Sequence, residues 1–141
     1  MTIRPSPDVI LQLSPTGKVA CREAKVELEI ARKNWPGAKG ELELLIKEVP
    51  SNGNAWIGLG RVYLADAEQS KATEAFEHAF QIPESSYRAS IALANMEFKN
   101  RRYGQCVAYL EHALSLQKSA AVENFRDQVR NLIPQEKLST L

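Results

Sequence analysis

Trp56, Leu59, Gly60 and Tyr63 fall at i, i+3, i+4 and i+7, and Ala72, Phe76, Ala79 and Phe80 carry a second apolar stripe of the same period. That spacing predicts two amphipathic helices lying back to back, with the turn confined to residues 67–70. Gly60 and Ala72 are small where their neighbours are large, so the two backbones can approach while Trp56, Tyr63 and Phe76 fill the flanks. The pattern returns at an offset of 34 residues on both sides. Upstream, Ala38, Leu42, Leu45 and Ile46 copy the second stripe and end at Pro50; downstream, Cys106, Leu110, Ala113 and Leu114 do the same. Leu93 and Ala94 stand where Leu59 and Gly60 stood, the EHA of residues 77–79 recurs at 111–113, and Trp35 and Tyr103 lie two periods apart.

The ends of the array are less regular. A helix over residues 18–33, or starting at Ser14 with Pro15 in its first turn, carries the stripe Ala20, Ala24, Leu28 and Ala31. The places of Trp56, Leu59 and Tyr63 are held there by Arg22, Lys25 and Glu29, so this helix is either shifted by a residue or two or a degenerate terminal unit. In the third unit Ser90 replaces Trp56 and Glu97 replaces Tyr63, with Phe98 offering bulk from the next position. Residues 51–54 form a connector with helix-capping chemistry, and Ser85 and Ser86 offer caps after Pro83. A final helix capped by Ser119 presents Val122, Phe125, Val129 and Leu132 inward, turns Arg126 and Arg130 toward water, and ends at Pro134. The reading divides the chain into an extended arm (residues 1–14), a helical domain (15–133) and a tail (134–141), with seven helices in the domain.

The spaced residues W..LG..Y followed by A...F..A resemble the tetratricopeptide repeat, with Pro83 one residue earlier than that family's terminal proline. The resemblance implies an all-α, right-handed α-α superhelix of three helical hairpins plus a C-terminal capping helix. It also implies a concave groove lined by the first helix of each hairpin. The groove residues would be Asn54, Ile57, Arg61, Leu64 and Ala65 from the central unit, and Arg88, Ile91, Ala92, Asn95, Phe98 and Lys99 from the next. Such a groove suits an extended or helical peptide with apolar anchors and an acidic group, the acid held by Arg61, Arg88, Asn95 or Lys99. A subset of the family grips C-terminal carboxylates of chaperones, but Glu23 and Glu27 occupy the equivalent first-unit places with the wrong charge.

Composition narrows the function classes. At 141 residues, 44% hydrophobic and 25% charged, the chain is an ordinary globular domain. Its 18 basic and 17 acidic residues leave a net charge of +1, so no broad field is available to hold nucleic acid or an anionic membrane. No apolar run near the start reaches the length of a secretory or membrane segment, and a cytoplasmic protein is expected. Cys21 and Cys106 are too few and too far apart for a disulfide framework or a metal site; Cys106 sits on an apolar stripe as a small buried residue. His78 and His112 are one period apart on second helices, without ligand-spaced partners, and repeat phase accounts for them. There is no GxxxxGK[ST], HExxH or GxSxG, and nothing gathers a nucleophile with a base, so no enzyme, cofactor or metal is expected. The expected function is a non-catalytic adaptor for a protein or peptide. The alternatives are a small bacterial secretion-type chaperone holding an exported client with Ile57, Leu64, Ile91 and Phe98, and a self-association domain of a larger protein whose arm, residues 9–13, docks on another copy or on a further domain.

Overall fold

The computed structural model describes residues 15–134. Among the described residues seven helices run in order: α1 (Pro15–Ala31), α2 (Trp35–Glu48), α3 (Gly53–Ala65), α4 (Gln69–Phe80), α5 (Pro83–Lys99), α6 (Tyr103–Leu116) and α7 (Ala120–Arg130). Each packs on its neighbour in sequence, and the closest pairs are α1 with α2, α3 with α4 and α5 with α6. The molecule is therefore a solenoid of three hairpins closed by α7, as the spacing predicted. The arm and all of the tail but Pro134 lie outside the described residues.

The repeat is most exact at the turns. Lys33, Ala67 and Arg101 have φ of 59°, 59° and 61°, left-handed conformations one period apart. At each, the next residue's N–H reaches back over the turn: Asn34 to the carbonyl of Glu29 at 2.8 Å, Glu68 to Tyr63 at 2.9 Å, and Arg102 to Glu97 at 2.9 Å. These six-to-one bonds satisfy carbonyls that a helix C-terminus leaves open and reverse the chain into the next helix. None of the three residues is the glycine usual at such a position, so the turn chemistry is hidden in the sequence.

Three apolar clusters run along the solenoid. The first joins Val26 and Ile30 of α1 to Leu42 and Leu45 of α2 and to Leu59 and Val62 of α3. The second centres on Phe76, with Ala72, Ala79, Leu93 and Met96 around it, and the third joins Cys106 and Leu110 of α6 to Val122 and Val129 of α7. Trp56 and Tyr63 touch both the first and the second cluster, so they seal one hairpin to the next. A Cβ on Gly60 would lie 2.5 Å from the Phe76 ring, so the glycine makes room for that ring directly. Burial pushes the Cys106 thiol up to about 11, with Glu97 adding to it, and the group is a packing residue.

Several local expectations are corrected. The α1 stripe of Ala20, Ala24 and Ala31 is exposed; the buried face is Val26, Glu29 and Ile30, with Val19 and Leu28 half-buried. The helix is thus in register with the repeat and degenerate in composition. Beside this apolar face α1 makes polar contacts: Arg22 reaches Glu41 at 3.4 Å and Glu48 at 3.2 Å, Lys25 reaches Glu41 at 2.8 Å, and Glu29 accepts from the Asn34 amide. Ser85 and Ser86 do not cap α5, which begins earlier, at Pro83; Ser85 Oγ instead donates to the Ala79 carbonyl at 2.6 Å. Asn52 and Ser119 do cap, accepting from Ala55 N at 3.2 Å and Val122 N at 3.3 Å. The α3–α4 turn is residues 66–68 rather than 67–70. At the end of the solenoid Leu132 is 51% exposed and Ile133 takes the inward place, while Arg126 is half-buried. Glu97 does not leave a gap for Phe98 to fill: its carboxylate faces Arg102 Nε at 3.1 Å, and Phe98 turns to Tyr103 and Phe125.

Candidate functional site

The first helices of the hairpins share one side of the solenoid, and their spacing along it is uneven. Helix α3 packs directly on α5, whereas α1 makes no comparable contact with α3. Residue size accounts for the close junction. Gly53, in the first turn of α3, lies under Ser85 of α5, and a Cβ there would come within 2.5 Å of the Ser85 Cβ. One period earlier the residue corresponding to Gly53 is Val19, half-buried against the first apolar cluster.

The gap is a cleft of about 300 Å³. Leu42 and Leu45 of α2 and Ala55, Ile57 and Gly58 of α3 line it, all buried, so its floor is apolar. Glu23, Ala24 and Glu27 of α1 form one wall, and Asn54, Arg61 and Arg88 of α3 and α5 form the other. Arg88 donates to Asn54 Oδ1 at 2.5 Å, Asn52 Nδ2 donates to Glu23 Oε1 at 3.0 Å, and Arg61 lies 3.7 Å from Glu27 across the opening. These contacts are solvent-exposed or only partly buried, where hydrogen-bonded and ionic partners exchange readily.

Of the residues expected in the groove, Asn54, Ile57, Arg61 and Arg88 converge on this cleft. The other seven stand apart from it. Leu64, Asn95 and Lys99 are exposed on α3 and α5, Ile91 packs on the third cluster, and Phe98 lies 5.7 Å from the Tyr103 ring and 5.4 Å from Phe125. Ala65 and Ala92 are likewise outside it. The α1 wall adds Glu23 and Glu27, the first-unit counterparts of Ile57 and Arg61, which were set aside for a carboxylate clamp and not counted among the expected groove residues.

The histidines lie in packing roles. His78 stacks on Trp56 with ring centroids 4.2 Å apart and planes at 17°. His112 sits 4.7 Å from Phe80, with Nε2 3.3 Å from Ser86 Oγ. Among the described residues no three His, Cys, Asp or Glu side chains are placed to hold a metal ion, and no helix is long and apolar enough to cross a membrane.

No protein-family model matches the sequence, and no curated protein matches it. Solved structures do match the fold. The TPR domain of OM64 from Arabidopsis superposes with a TM-score of 0.71 at 18% identity, covering 82% of this chain and 96% of that domain. The N-terminal domain of stress-induced protein-1 (STI-1) from C. elegans gives 0.71 at 13% identity, covering 84% and 99%. Identity this low carries the fold alone. The seven helices of the described residues, turns repeating every 34 residues and these superpositions agree: the chain has the fold of a tetratricopeptide repeat domain.

Proposed function

We propose that this chain is a non-catalytic adaptor that binds a protein or peptide segment in the groove opening between α1 and α3. One observation carries the reading. The cleft combines an apolar floor with polar, solvent-facing walls, the arrangement that anchors a side chain and orients the backbone bearing it. The hairpins on either side are tied by buried cores, so the scaffold loses little conformational freedom on binding and the ligand bears most of the ordering cost. Domains of this fold generally bind proteins or peptides, which supports the same reading.

The test is affinity capture from a native lysate with the wild-type chain beside Arg61→Glu/Arg88→Glu, read by mass spectrometry. Both side chains are exposed, so the double variant keeps its circular dichroism spectrum. A partner recovered by the wild type and lost by the variant is the expected result. Equal recovery by both would move binding away from the cleft and overturn the reading.

A further inference from the structure

The charges around the cleft are sorted by element. Both carboxylates, Glu23 and Glu27, come from α1, and both guanidinium groups, Arg61 and Arg88, come from α3 and α5. In the free protein the two walls partly satisfy themselves, through the 3.7 Å approach of Arg61 to Glu27 and through the amides of Asn52 and Asn54. Each carboxylate keeps acceptor sites and each guanidinium keeps donors beyond those single partners. A segment entering the cleft therefore meets a negative wall on one side and a positive wall on the other, with Ile57 between them.

Resting on the groove reading above, we propose that the cleft selects a bipolar protein segment. An apolar side chain seats on the floor, a lysine or arginine of the partner turns to Glu23 and Glu27, and an aspartate or glutamate turns to Arg61 and Arg88. A segment of one sign gains from one wall and is repelled by the other, so the walls act together to exclude wholly acidic and wholly basic partners. Glu23 and Glu27, which are unsuited to a carboxylate clamp, are in this account the residues that recognise the cation.

Four fluorescein-labelled, C-amidated peptides test the sorting by anisotropy with the full chain. All share a Leu-Ile-Leu centre; the flanks are Lys and Glu in either order, Glu at both ends, or Lys at both ends. One of the two mixed peptides is expected to bind on the order of tenfold tighter than either single-sign peptide. Glu23→Lys/Glu27→Lys is expected to shift the preference to the Glu-Glu peptide, and Arg61→Glu/Arg88→Glu to the Lys-Lys peptide. Wild-type preference for the Glu-Glu peptide, lost in Arg61→Glu/Arg88→Glu, would overturn the bipolar proposal and leave the groove reading standing. Peptide binding that neither double variant changes would overturn both, and no binding of any peptide to the wild type would overturn the bipolar proposal.

Discussion

The first and central hairpins share one backbone plan and are held together by different chemistry. In the central hairpin Trp56 stacks on His78, Phe76 fills the space over Gly60, and Tyr63 lies under the ammonium groups of Lys39 and Lys71 at 5.4 and 5.6 Å. In the first hairpin the positions of Trp56, Gly60 and Tyr63 are held by Arg22, Val26 and Glu29, and ion pairs to Glu41 and Glu48 flank the apolar contact of Val26 and Ile30 with Leu42 and Leu45. The contrast follows from what each helix faces. Trp56, Leu59 and Tyr63 pack against the hairpin before them, whereas no described element packs on that side of α1. The polar residues of α1 are thus suited to a helix wet on one face, and they leave Glu23 and Glu27 placed along the cleft. The two junctions differ in the same sense, closed between α3 and α5 where Gly53 meets Ser85 and open between α1 and α3.

The comparison can be broken most severely at the central seam. Phe76→Ala empties a fully buried site between α3, α4 and α5 and is expected to cost about 3–5 kcal/mol, seen as a lower urea midpoint. Gly53→Val forces the second junction toward the geometry of the first; about 1–3 kcal/mol is expected to be lost, because the added side chain collides with Ser85. Ala67→Gly acts in the other direction: relief of the left-handed turn residue is expected to raise stability by about 0.5–1 kcal/mol, measured as a higher Tm. The smallest effect belongs to the ion-paired seam. Arg22→Ala removes two partly exposed pairs, so about 0.2–0.5 kcal/mol is expected to be lost at low salt and less in high salt.

Much of the fold was legible because large and small apolar residues recur in phase, and burial of Leu42, Leu59, Phe76, Leu93 and Leu110 follows that phase. The α1 face was not legible. Alanines at spacings of four and three make a convincing stripe, but alanine contributes little area, and burial of Val26 and Ile30 outweighed it. Ser85 and Ser86 read as caps because serine favours that role, whereas Pro83 had already started the helix and Ser85 turned back to the preceding carbonyl. Within the site, repeat phase found Asn54, Ile57, Arg61 and Arg88. It could not separate them from Ile91 and Phe98, because which groove positions stay open depends on helix spacing, close where Gly53 meets Ser85, and on aromatic contacts with α7.

The central claim is that a partner segment occupies the cleft between α1 and α3. A photo-crosslinking amino acid placed at Arg61, with a second variant carrying it at exposed Glu77 on α4, measures occupancy directly once a partner is recovered. The account predicts a crosslinked product from position 61, competed away by excess unlabelled partner, and none from position 77. Crosslinking from position 77 with none from position 61 would contradict it and place the interaction on the second helices.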